Sequence, residues 1–207
     1  LSATMGPTSR AAIELDADAA WMLRDVDHRA AIDLARATFE RAAEALGPDD
    51  RLTLQAANVL AAALEDAGRI VEAVDLSRHI LERREATLPP DDRETLLAAA
   101  NLAYVLRRAG RLTEAEPLAI RTLAARVRAL GPMHPDTIQS RRELAHIHQQ
   151  AGRPADELEL RRQVAADSRA VLGATHPQTL WTLGDLQAAL ERAGRTQEAI
   201  AVAEERV

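Results

Sequence analysis

The sequence predicts an all-α solenoid, a stack of antiparallel helical hairpins, on three observations. A nine-residue frame recurs as LGPDDRLTL from Leu46, LPPDDRETL from Leu88, LGPMHPDTI from Leu130 and LGATHPQTL from Leu172, each 42 residues after the last. A second marker, Ala-Gly-Arg, returns at the same interval at Gly68, Gly110, Gly152 and Gly194. Between the markers run segments with apolar residues at helical i, i+3, i+4 spacing. Regular self-similarity at such a period marks units that bury their apolar faces only by stacking.

Each copy reads as two helices. Helix A precedes the glycine, as in TLLAAANLAYVLRRAG, where Leu96, Ala99, Leu102, Ala103 and Leu106 make one stripe. The glycine supplies the positive φ that lets the chain reverse past a helix C-terminus. Helix B follows, as in RLTEAEPLAIRTLAARVRAL, with Leu112, Ala115, Leu118, Thr122 and Leu123 on one side. The linker to the next helix A holds the segment MHPDT, whose histidine between methionine and proline invites a metal or catalytic reading. The positions equivalent to His134 are Asp50, Asp92 and His176, so the slot asks for a polar residue that starts a helix, with proline in the first turn.

Small residues fall where two helices must approach: Ala61, Ala103 and Ala145 seven residues before their glycine, Ala73, Ala115 and Ala199 five after it. Leu60, Leu102, Leu144 and Leu186 are expected in the hairpin core. Glu157, Gln187, His148 and Asp18 depart from this pattern, which predicts looser packing in the third copy and polar terminal copies. Residues 46–207 thus form four copies, the last truncated in helix B. Residues 1–45 hold an N-terminal segment with a degenerate copy, in which Ala31, Leu34 and Ala35 align with Ala73, Leu76 and Ser77. Nothing in residues 1–25 assigns them a role.

Composition agrees and excludes several functions. Hydrophobic residues are 47% of the chain but aromatics only 2%, so the apolar content is largely alanine, leucine, valine and isoleucine, which suits helices. A net charge of −6 argues against a general nucleic-acid binder. There is no cysteine, hence no disulfide framework or thiolate metal site. No apolar run approaches the roughly 18 residues of a membrane span, and the first residues lack a signal-peptide layout, so a cytoplasmic location is expected. A start at Leu1 and a stop at Val207 inside a helical pattern suggest part of a longer protein. The same end suggests self-association through the last helix B.

NLAYVLRRAGRLTEAEPL followed by LGPMHPDTI resembles the tetratricopeptide repeat, in its 42-residue form known from kinesin light chains and from large bacterial regulators. HEAT and armadillo arrays share the period, but the alanine offsets and the single glycine turn favour the tetratricopeptide pattern. The resemblance implies a right-handed superhelix whose helices A line a concave, peptide-binding face. Carried over by offset from each glycine, that face holds Gln55, Asn58, Ala62 and Glu65, then Leu97, Ala100, Tyr104 and Arg107, then Gln139, Arg142, His146 and Gln149, then Trp181, Gly184, Ala188 and Glu191.

Tyr104 and Trp181 are rigid rings suited to anchor a ligand, and Arg107, Arg142 and His146 give this acidic chain a locally basic surface. Asn58 and Asn101 match helix A asparagines that, by the resemblance, hydrogen-bond a peptide backbone. The expected function is a protein interaction scaffold that holds a peptide segment with acidic and apolar side chains. The alternative is a sensory or autoinhibitory segment of a bacterial signalling ATPase or transcriptional regulator. No enzymatic activity, cofactor or metal is expected. Glu143 and His146 have the spacing of a carboxylate–histidine metal pair, but no second such motif accompanies them, and no phosphate loop or hydrolase signature occurs.

Overall fold

The computed structural model describes residue 6 and residues 8–206. These residues form ten helices: α1 (Arg10–Leu23), α2 (His28–Leu46), α3 (Arg51–Asp66), α4 (Ile70–Thr87), α5 (Arg93–Arg108), α6 (Leu112–Leu130), α7 (Pro135–Gln150), α8 (Pro154–Leu172), α9 (Pro177–Arg192) and α10 (Thr196–Glu204), of which α1 with α2, α3 with α4, α7 with α8 and α9 with α10 pack as helical hairpins. Helices α3, α5, α7 and α9 start at 42-residue intervals, and so do α2, α4, α6, α8 and α10.

Both markers are helix punctuation. The histidine of MHPDT is the N-cap of α7: its Nδ1 accepts from the Asp136 amide at 3.1 Å, and Pro135 begins the helix. His176 does the same for Gln178, and Asp50 and Asp92 use a carboxylate oxygen for Leu52 and Glu94. Each satisfies an amide that the first turn leaves without a partner. At the other end, Gly68 adopts φ +75° and its N–H donates to the Glu65 carbonyl at 3.0 Å, while the Arg69 N–H reaches back to Leu64 at 2.8 Å. This paired closure of the last turn recurs at Gly152 and Gly194. The arginine of the marker then pairs with a glutamate three residues on, Arg69 with Glu72 at 2.6 Å and Arg111 with Glu114 at 2.7 Å.

Where the pattern breaks, the helices respond. Proline stands at 89 where the other frames have glycine, and the residue before a proline avoids the helical region. Leu88 is accordingly extended, at φ −131° and ψ 156°, and α4 stops one residue short of its equivalents. Pro117 is tolerated inside α6.

The packing follows the small-residue offsets. Ala61, Ala103, Ala145, Ala73, Ala115 and Ala199 are buried, as are Leu60, Leu102, Leu144 and Leu186. Each helix B packs against its own helix A's successor, α2 on α3, α4 on α5, α6 on α7 and α8 on α9. Arginine and carboxylate pairs clip neighbouring copies together, as in Arg24 with Asp66 at 2.6 Å and Arg162 with Glu198 at 2.8 Å.

The first copy corrects the expected register. It has no glycine turn; Asp27 caps α2 and Ser9 caps α1, so α1 begins one residue late relative to the other helices A. Asp18 is therefore exposed instead of lying in the hairpin core, and Ile13, Ala17 and Ala20 face inward. The third copy is filled by charge rather than left loose. Glu157 is buried with Oε1 accepting from Arg161 Nε at 2.8 Å and from Arg192 Nη2 at 2.7 Å, and His148 Nε2 lies 3.3 Å from Glu116. The contacts divide the chain into two compact units, Leu1–Gly110 and Arg111–Val207. Val207, on which the expected self-association rested, lies outside the described residues.

Candidate functional site

In the first unit the helices A enclose a concavity of about 280 Å³, with Trp21 from α1 and Tyr104 from α5 among its walls and Asn58, Ala61, Ala62 and Asn101 beneath. Alanines keep the floor low, because a longer side chain on α3 would fill the space. Asn58 lies between them: its Nδ2 donates to the Leu54 carbonyl at 3.0 Å, and its Oδ1 accepts from Asn101 Nδ2 at 3.1 Å. The two asparagines predicted to hold a peptide backbone hold each other in the structure, fixing both amides at the floor.

Each aromatic wall carries a guanidinium. The Arg24 guanidinium lies 4.0 Å above the Trp21 ring, held there by Nε donating to Asp66 Oδ2 at 2.6 Å. Arg107 lies 5.3 Å from the Tyr104 ring centre, and Arg108 Nη1 donates to the phenol oxygen at 3.1 Å. Arg108 also pairs with buried Glu65 at 2.7 Å. Stacked guanidinium groups of this kind keep their charge in reach of solvent while stiffening the ring beneath. The indole of Trp21 remains 55% exposed, a large apolar surface open to a ligand.

The second unit repeats the pairing. Arg142 of α7 lies 4.1 Å over the ring of Trp181 of α9, whose indole is 47% exposed. Burial lowers the Arg142 pKa from its ordinary value; Asp185 opposes the shift and Arg161 adds to it. Arg161 itself is buried in a polar network, with Nη1 donating to Asp185 at 3.0 Å and Nη2 to Gln149 Oε1 at 3.0 Å. His146 joins this network, its Nδ1 3.4 Å from Arg161 Nη2.

Of the residues predicted from sequence, Asn58, Asn101 and Tyr104 line one concavity with Arg107 beside Tyr104, and Arg142 stacks on Trp181 with His146 linked to the nearby Arg161 network. Sequence reasoning missed Trp21 and Arg24, because the first copy carries no glycine from which to count offsets. Their three-residue spacing, the same as that of Tyr104 and Arg107, was the available signal. It also missed Arg161, since an arginine on helix B offers no hint that it will be buried.

No helix among the described residues is long and apolar enough to cross a membrane. No curated protein matches the chain. Among solved structures, the chain is similar to a Podosopora anserina kinesin light chain type protein of nearly identical TPR-like repeats, at 25% identity and a TM-score of 0.82, over 96% of this chain and 94% of that one. It also shares its fold with BtubC (BKLC) from P. vanneervenii, at 19% identity and a TM-score of 0.80, over 95% of this chain and 79% of that one. Two tetratricopeptide repeat family models match residues 53–94 and 94–166, which together span more than half of the sequence. With the 42-residue helix spacing, the glycine turns and the buried alanines, these matches place the chain in the tetratricopeptide repeat family, whose folds are in general protein–protein interaction modules.

Proposed function

We propose that the protein is an interaction scaffold that captures a peptide segment on its helix A faces, with the concavity of the first unit as the principal site. The observation that carries this reading is the arrangement of Trp21 and Tyr104 around the Asn58–Asn101 pair. The rings supply apolar contact with few rotors to freeze. The amides supply the donor and acceptor that an extended backbone needs, and Arg24, Arg107 and Arg108 supply positive charge for acidic side chains. A ligand with apolar side chains alternating with carboxylates fits these three features. Arg142 over Trp181 offers the same chemistry in the second unit.

A displayed library of random peptides, selected on the intact protein and read out by calorimetry with the winning sequences, tests the reading. Acidic and apolar winners that lose about tenfold or more in affinity on Trp21→Ala or Tyr104→Ala, about 1.4 kcal/mol, support it. Arg107→Glu with Arg142→Glu should abolish capture while circular dichroism stays unchanged. Winners indifferent to all four substitutions would move binding off the helix A faces.

A further inference from the structure

One position of helix B sets how the seam between that helix and the next helix A is filled. At 42-residue intervals it holds Ala42, Arg84, Arg126 and Ser168, all buried. Ala42 packs with Ile13, Leu46 and Leu52. Arg84 Nη2 donates to Glu94 Oε2 at 3.1 Å, and Arg126 Nη1 donates to the Asp136 carbonyl at 2.8 Å and to Ser140 Oγ at 2.9 Å. Each guanidinium crosses from helix B to the first turns of the next helix A. Ser168 is too short to do so. Beside it the second unit holds a cavity of about 280 Å³, bordered by Gln178, which stands at the place of Glu94 and Asp136, and by residues of α7.

The walls of this cavity are mixed. Ile138, Val171 and Leu172 make an apolar side, with Val171 and Leu172 44% and 40% exposed. The cation among the lining residues is Arg142, which lies flat on Trp181 at 4.1 Å. Among the described residues Arg142 forms no hydrogen bond or ion pair, and its Nε is fully enclosed. A half-buried guanidinium without a carboxylate partner gains strongly from one, because two parallel N–H donors meet two oxygens where little water competes. Asp136 also borders the cavity, but its charge is offset by the Arg126 guanidinium of α6. Apolar walls around a few placed polar groups are the usual make-up of a small-ligand pocket.

We propose that this cavity binds a carboxylate carried on a short apolar body, with the carboxylate paired to the Arg142 guanidinium and the body against Ile138, Val171 and Leu172. A free organic acid and an acidic side chain of a bound peptide share that chemistry. The site lies wholly within the second unit and does not depend on peptide capture by the first.

NMR titration of the intact protein tests this, with the indole N–H signal of Trp181 reporting the cavity and that of Trp21 the first unit. One arm uses benzoate and hexanoate against benzamide and hexanamide; the other uses acetyl-Ala-Glu-Ala-amide against its glutamine counterpart. At least one acid should shift Trp181 to saturation, with its uncharged control at least about tenfold weaker, and the tighter arm names the source. Ser168→Arg supplies the residue of the two preceding copies, with Gln178 and Thr182 standing where Asp136 and Ser140 receive Arg126. Ser168→Leu fills the cavity without charge. Each should weaken the acid about tenfold or more with circular dichroism unchanged, and Arg142→Gln should erase the preference for acid over amide. No saturating shift in either arm, equal binding of acids and amides, or binding undiminished in a folded Ser168 variant would each overturn the proposal. Shifts at Trp21 alone would sink this site and leave the reading of the first unit standing.

Discussion

Replacing Glu157 by alanine gives the third copy the residue that three other copies have at this place, Ala73, Ala115 and Ala199, yet it should destabilise the protein. The reason lies in what surrounds it. Glu157 and Arg161 side chains are 4% and 5% exposed, and Glu157 Oε1 takes charged hydrogen bonds from Arg161 and Arg192. Arg192 is 46% exposed and turns to water without loss. Arg161 cannot; it keeps Asp185 and Gln149 but loses its most buried carboxylate. Removing one partner of a buried pair costs about 3 to 5 kcal/mol, and the two remaining acceptors place this case near the lower end, about 3 kcal/mol. In thermal melts that is a fall of roughly 6 to 12 °C. The double variant Glu157→Ala, Arg161→Ala matches Ala115 and Ala119 of the preceding copy. It leaves no stranded guanidinium, so it should be more stable than the single variant, with a coupling of at least about 1 kcal/mol in the double-mutant cycle. A neutral Glu157→Ala, or a double variant that melts below it, would refute the view that charge replaces packing in this copy.

Gly110, at φ +72°, should tolerate Asn with a small loss, whereas Gly110→Val should cost about 2 kcal/mol or more in denaturant titrations, because β-branching disfavours that backbone region. Pro117→Ala should stabilise α6 by about 1 kcal/mol or more in the same titrations, since alanine restores an amide donor and removes the ring from the helix interior. His134→Asp should fold as well as the parent, following Asp50 and Asp92, while His134→Val should lose about 1 kcal/mol with the cap. Hydrogen bonds from Arg10 and from the Leu52 amide hold the Asp50 pKa below the usual carboxylate range. A folded pKa below the unfolded one stabilises above about pH 4 and loses that contribution as the pH falls through the folded value. Acid titrations should therefore show part of the loss of stability below about pH 4 disappear in Asp50→Asn, which keeps a capping oxygen.

The helices were readable because their signals are local. An N-cap works on amides two residues away, a glycine on its own φ, and an apolar stripe on neighbours three and four residues along. That is why His134 could be assigned to helix initiation by comparing it with Asp50, Asp92 and His176 alone. Tyr104 and Asn58, which line one concavity, were legible as residues of one helix face through the same period, since an offset from a glycine marks that face in every copy that has one; Asn101 came from the resemblance. The first copy lacks that glycine, and with it went the register that would have shown Trp21 beside the predicted residues.

The sequence by itself determined the repeat, the turns and the small-residue contacts. Tertiary structure alone decided how the exceptions were resolved. It closed Glu157 and Arg161 into a buried ion pair and set Arg24 on one indole and Arg142 on the other. Those outcomes depend on which side chains from separate helices share a space from which water is excluded. Whether a charge is stranded or satisfied there is set by partners tens of residues away, and local pattern carries no record of them.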